Sequence, residues 1–300
     1  MLDLPGDPSF GGLATQCRRF VLQVKIIPMT SKCAIAAAVF AAAMVSAFPA
    51  RADGALPLAP HRAVYELTLD KAAGSKAPAQ ARGRIVFDFA ATCEGYVQNF
   101  RQITELQPAE GATRLSDMIS GTFEALDASD FRFKVETKVD GATSEAVDGK
   151  AVKKASRLSI DLTRPKRAHH DMDGPVFFPS EHLLHIVNAA RAGEALLEAR
   201  VYDGTGTGDK AFDTLTVIGK PMETPAEKPA QIDALRNMKR WRVAVSYFEP
   251  GKRDGQPIYV LSFDLFENGV SGALALDYGD FVLKGALKEL SVQPATVCRK

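Results

Sequence analysis

The chain has 300 residues, with 37 Lys and Arg against 36 Asp and Glu and a formal net charge of +1. A balance this close to neutral supplies no field for a phosphate backbone, so nucleic acid is not an expected partner. With 46% hydrophobic residues the chain can bury a substantial core, as one large domain or two small ones.

The N-terminal part does not read as fold. From Met29 a single Lys32 precedes an apolar run from Cys33 to Phe48, and Ala50-Arg51-Ala52 offers an A-x-A cleavage site. That is the build of a secretory signal peptide over residues 29–52, and the competing reading is an N-terminal membrane anchor. Residues 1–28 read as a start-site overcall, because Met29 begins the better signal. The mature chain is then residues 53–300, an exported domain. Taking away five basic residues (Arg18, Arg19, Lys25, Lys32, Arg51) and two acidic ones (Asp3, Asp7) leaves 32 basic against 34 acidic.

Export changes what the cysteines mean. Cys17 and Cys33 leave with the leader, and Cys93 and Cys298 remain. Two cysteines in an oxidising compartment read as one disulfide, with free thiols or an intermolecular bridge as the alternatives. No C-x-x-C lowers a thiol pKa for redox catalysis.

In chain order, His61–Asp70 alternates as a first strand, and Lys71–Ala81 is a small-residue loop with Gly74, Ser75 and Pro78. Ile85, Phe87 and Phe89 share one face of a second strand. A turn at Cys93–Tyr96 leads to extended residues 97–106, then to a less regular strand, Leu115–Leu126, broken by Gly121. Phe131, Phe133, Val135 and Val139 keep strict alternation up to the hairpin signal Asp140-Gly141. Asp148-Gly149 reads as a second turn, followed by a strand at Arg157–Thr163. Clean alternation without intervening helical patterns means antiparallel sheet, mainly β, and excludes βαβ folds.

One helix stands out. Pro179-Ser180-Glu181 opens it, Ser180 as cap, and Leu183, Leu184, Val187 and Ala190 form an apolar stripe that stops at Gly193. Such a helix can plug or line the open end of a curved sheet, with Phe177 and Phe178 packing inward. His169, His170, His182 and His185 surround it, and His182 and His185 are spaced i,i+3, as two ligands of one metal would be, with Asp171 and Asp173 near in sequence. H-E-x-x-H is absent, so the plainer reading is a helix edge with hydrogen-bonded histidines.

The glycine-rich stretch Tyr202–Asp209 could cradle phosphate or hold calcium, but neither a following helix nor EF-hand spacing supports it, and a hairpin loop is the better reading. Lys220–Lys239, with Pro221, Pro225 and Pro229, reads as an exposed excursion holding a short helix around Ile232–Met238. Strands return at Arg242–Phe248, Gln256–Phe266, Val270–Tyr278 and Phe281–Leu290, with Asn268-Gly269 the strongest hairpin signal in the chain.

Taken together, G-R-I-V-F-D-F with Cys93-Glu94-Gly95-Tyr96, F-F-P-S-E-H, Y-D-G-T-G, W-R-V-A-V-S-Y-F, E-N-G-V and L-D-Y-G-D-F, in this order, resemble the envelope-integrity protein B (EipB) family of alphaproteobacterial periplasmic proteins. The resemblance spans His61 to Cys298. It implies a β-spiral, one strongly curved antiparallel sheet of about fourteen strands wrapped around one or two helices. It also implies a disulfide between Cys93 and Cys298 and a role in envelope integrity and stress resistance. No catalytic residues, cofactors or metal ligands come with it.

Two function classes follow. The first is a non-catalytic envelope protein whose concave face binds a lipid, a lipoprotein acyl chain or an envelope protein partner, unless the same side chains fill a solid core. The second is a metal-dependent envelope hydrolase using His169, His170, His182 and His185, for which no nucleophile–base spacing, paired carboxylates or G-x-S-x-G speaks.

Overall fold

A computed structural model describes residues 57–73 and 77–298. The expected leader (29–52) and start-site overcall (1–28) lie outside the described residues. Fourteen strands form one antiparallel sheet: β1 (His61–Ala72), β2 (Gln80–Ala91), β3 (Gly95–Gln107), β4 (Arg114–Ala125), β5 (Asp130–Val139), β6 (Ala142–Lys154), β7 (Arg157–Arg164) and β8 (Ala168–Asp173) precede a helix, α1 (Pro179–Ala192). Then come β9 (Leu196–Val201), β10 (Phe212–Pro221), β11 (Arg240–Phe248), β12 (Tyr259–Phe266), β13 (Ser271–Asp277) and β14 (Phe281–Val292). The spatial order runs from β8 back to β1, then from β14 back to β9. Each half is a meander, and the two join where β1 pairs with β14.

An open sheet of this width cannot stay flat, because each strand is twisted against the last. Register shifts at Val64/Tyr65 and Leu69/Lys71 against β14, and at Ser262/Asp264 in β12, bend it further. The sheet therefore wraps on itself, and its edge strands meet. Phe177 bridges Val201 of β9, and Arg200 Nη1 donates to the Asp173 carbonyl at the end of β8, 3.1 Å away. Helix α1 connects the two edges in sequence and packs against β9 and β10.

The inner face carries two main cores. Alternating residues of β1 and β10–β14 pack on Ile186, Val187, Ala189 and Ala190 of α1. Phe131, Phe133, Val147, Ala151, Leu158 and Ile160 of β5–β7 pack on Val176, Phe178 and Tyr202, which flank the helix and β9. Between them, register pairs put Gln98, Gln102, Ser120 and Thr122 of β3 and β4 on the same inner face, which keeps the apolar clusters apart.

Several local expectations are corrected. Asp148-Gly149 is no turn: both lie inside β6, where a Cβ on Gly149 would sit 2.8 Å from the Asp161 carbonyl oxygen and 2.8 Å from Phe133 Cζ. The reversal comes later, at residues 155 and 156. Gly121 does not break β4, which is continuous. The excursion holds a single 3₁₀ turn, Lys228–Ala230, and residues 233–237 form turns rather than a helix. The expected hairpins at Asp140-Gly141 and Asn268-Gly269 are present, and Asp140 and Gly141 both have positive φ, as a two-residue turn demands.

Candidate ligand cavity

Helix α1 is positioned by an unexpected partner. Its cap residue is Phe178, with Pro179 first in the helix, so Ser180 lies two positions too late to cap. The free N–H groups are met from the sheet: Ser180 N and Glu181 N each donate to a different carboxylate oxygen of Glu124 on β4, both at 2.7 Å. Glu181 Oε2 in turn accepts from Phe178 N at 3.1 Å and pairs with Lys153 of β6. Ser180 Oγ accepts from Gln98 of β3 at 3.0 Å. Glu124 is 2% exposed. Burial outweighs the two N–H bonds and lifts its pKa to about 7.

Pinned this way, α1 presents Leu183 to the inner face of the spiral. There it helps enclose a cavity of about 290 Å³. Tyr65, Ile85, Phe87 and Phe100 of β1–β3 form one wall, and Tyr259, Leu261, Phe263, Leu274 and Leu276 of β12 and β13 form the other. The Tyr65 hydroxyl is already committed to the Ser271 carbonyl at 2.8 Å. Gln102 donates to Thr104 at 3.1 Å and lies 3.4 Å from the hydroxyl of Tyr278, an exposed ring stacked beside Phe281 and next to Tyr259. Phe87, Leu183 and Gly269 also wall an adjoining recess of about 60 Å³ with Leu58, His61, Phe89, Gln98 and Asn268. Gly269 is required there: its φ is +87°, and a Cβ would lie 2.6 Å from Leu58 Cδ2.

Two larger troughs, about 460 and 550 Å³, lie on the outer face over Gly121 and Gly149. They are open depressions edged by alternating charges such as Arg101, Asp88, Lys134 and Glu136. The inner cavity is smaller but walled on opposite sides by apolar side chains, which is what a ligand pocket needs.

The histidines do not converge. His169 and His170 are neighbours in β8 and point to opposite faces. His169 is exposed and bonded to Asp161 at 2.7 Å. His182 is 4% exposed inside the helix packing, where burial lowers its pKa to about 4. His185 is exposed and stands edge-on to Phe177 at 4.5 Å. Asp171 and Asp173 both face Arg157. Among the described residues no three His, Cys, Asp or Glu side chains gather as a metal would need. The hydrolase reading therefore loses its ligand set, for the reason that alternation and burial separate what sequence proximity joined.

Cys93, in the β2–β3 turn, is bonded to Cys298, with Cα atoms 5.5 Å apart across 205 residues of sequence. The glycine-rich stretch connects β9 to β10 and works by packing. Gly204 and Gly208 both have φ of +75°, and a Cβ would meet Phe133 at 2.4 Å or Val147 at 2.6 Å. Sequence reasoning missed Glu124 and His61. Both occupy inward positions of alternating strands, and a polar residue at such a position was the available signal.

A curved antiparallel sheet wound around one helix, with an apolar cavity on its inner face, defines a β-spiral. Residues 52–294 match the EipB-like family, and the chain belongs to that family. It is 34% identical over 245 residues to the cell envelope integrity protein EipB of Brucella abortus (strain 2308), covering 81% of this chain and 87% of that one. The crystal structure of a β-barrel-like protein of a domain of unknown function from Brucella abortus superposes with a TM-score of 0.74 at 33% identity, covering 80% of this chain and all of that one.

Proposed function

We propose that this chain is a non-catalytic periplasmic protein that supports cell-envelope integrity, and that it does so by holding an acyl chain of a lipid or lipoprotein in the cavity beneath Leu183. The observation that carries the reading is the cavity itself. It is walled by Ile85, Phe87, Phe100, Leu261, Phe263 and Leu276 and has room for roughly ten methylenes, each about the size of a water molecule. Membership of the EipB-like family supports the envelope role, since the Brucella relative bears that name. The leader expected at residues 29–52 and the Cys93–Cys298 bond both fit an oxidising compartment.

The test is titration of the protein with N-phenyl-1-naphthylamine, an apolar dye that brightens out of water. The parent should bind it, and Leu183→Trp, which fills the cavity from the helix, should bind at least about tenfold more weakly while melting as a single transition. Equal binding by the two proteins would place the dye elsewhere and remove the cavity as the site.

A further inference from the structure

One wall of the recess beside the cavity is His61, whose ring keeps one nitrogen without a hydrogen-bond partner among the described residues. His61 opens β1, and alternation turns it inward with Ala63 and Tyr65. It is 5% exposed, with its ring against Phe87 and Phe89 at 5.5 and 5.6 Å. Nδ1 stands 2.9 Å from the Ala59 carbonyl oxygen. A carbonyl can only accept, so Nδ1 carries the proton, and in a neutral imidazole Nε2 is then a bare lone pair. Burial lowers the ring's pKa and so favours that neutral form. Nε2 is enclosed and has no hydrogen-bond partner among the described residues. Leaving a buried acceptor unpaired costs stability, and a phenylalanine here would join the same ring cluster without that cost.

Building on the reading of the cavity as an acyl-chain site, we infer that the recess receives the polar end of the ligand and that His61 Nε2 accepts a hydrogen bond from it. The ligand class is thereby narrowed to a single-chain amphiphile that enters polar end first and whose buried end is uncharged and carries an O–H or N–H. A carboxylate fails on two counts. It offers the lone pair of Nε2 only further lone pairs, and the lining of the recess contains no Lys or Arg to neutralise it. Gln98 and Asn268 line the same recess and add amide groups suited to a hydroxyl or amide.

The test compares three probes of one chain length on the full protein at pH 8: 1-decanol, 1-fluorodecane and decanoate. Fluorine is close to a hydroxyl in size but cannot donate. The ratio of decanol to fluorodecane affinity in the parent should fall by about tenfold in His61→Phe, because only the donor contact is lost. Decanoate should bind the parent more weakly than decanol. An unchanged ratio in His61→Phe, or decanoate as the tightest probe, overturns the inference and leaves the chain-binding cavity standing. Should none of the three bind the parent, both readings fall. His61→Leu serves as the second variant if His61→Phe does not fold, since it too removes Nε2.

Discussion

Glu124 occupies an inward position of β4, with Tyr96 and Phe131 as its cross-strand neighbours. Its ionised form is stabilised by two backbone donors, but burial dominates and the pKa rises from 4.5 to about 7. The sign follows from linkage. Below about pH 4.5 the carboxyl is neutral in both states. As pH rises towards 7 the unfolded chain ionises first, so stability falls, by a total of about 3 kcal/mol once the folded form has ionised as well. His182 works in the opposite direction: its lowered pKa makes the unfolded chain bind the extra proton, so stability falls as pH drops from 6.5 towards 4. Comparison with Glu124→Gln cancels the histidine. The stability of the parent relative to that variant, from urea unfolding, should drop by roughly 3 kcal/mol between pH 4.5 and pH 8. A constant difference would mean that Glu124 titrates normally.

A second buried charge makes a different prediction. Arg240 is 5% exposed and sits 3.4 Å from Asp264, which also faces Arg242 at 3.2 Å. Among the described residues the Arg240 Nε lacks a well-directed hydrogen bond, so Asp264 compensates it by proximity rather than by geometry. Asp264→Ala leaves that guanidinium buried beside Phe266 without its counter-ion and should cost about 3–5 kcal/mol in urea unfolding. A loss under 1 kcal/mol would mean that Arg240 finds water.

At the scale of elements, the β9–β10 connection acts as a lid on the second core. Tyr202 is fully buried and its hydroxyl donates to the Gly208 carbonyl at 2.7 Å, closing the loop over Phe133, Val147 and Leu162. Gly204→Ala brings both a disfavoured left-handed backbone and a collision with the Phe133 ring, and should cost about 2–5 kcal/mol. Gly206→Ala makes a control: its φ is +65°, but nothing lies within 4 Å of the added carbon, so only the backbone term of about 1–2 kcal/mol applies. Equal losses at the two positions would show that packing against Phe133 does not matter.

The same elements show what the sequence makes readable. Phe131, Phe133 and Val135 announce β5 because one face of that strand is buried and the other wet. Asn268-Gly269 announces its hairpin because the turn is local. Gly149 misleads for the converse reason. Asp-Gly is a turn signal, yet here the missing side chain makes room for Phe133 and for the backbone of β7. β8 hides because His169–Asp173 is an edge strand of polar residues with little burial contrast. The helix cap hides because Glu124 is 56 residues from Ser180. The cavity follows the same division. Alternation brings Ile85, Phe87, Leu261 and Phe263 to the inner face, but whether they touch or leave space depends on the curvature of the whole sheet.

The whole molecule is a spiral whose closure relies on few bonds between distant parts of the chain. The Cys93–Cys298 bond is the covalent one, spans 205 residues of sequence, and fastens the tail after β14 to the turn after β2. Gln293 N donates to the Pro60 carbonyl at 2.8 Å, and Thr296 Oγ1 donates to the Ala91 carbonyl at 2.7 Å, so the tail has its own anchorage. Two roles can be separated. If the bond only keeps the tail from fraying, reduction raises amide exchange over residues 293–298 and leaves global unfolding unchanged. If it restricts the unfolded chain, closing so long a loop stabilises the fold by up to about 5 kcal/mol. An uncross-linked unfolded chain also exposes more surface, so reduction should raise the urea m-value as it lowers the midpoint. We expect the second outcome, because the bond closes a loop that contains all of β3–β14. Cys298→Ser should match the reduced parent in both midpoint and m-value and should ignore added reductant. A parent whose midpoint does not respond to reductant would confine the bond to the tail.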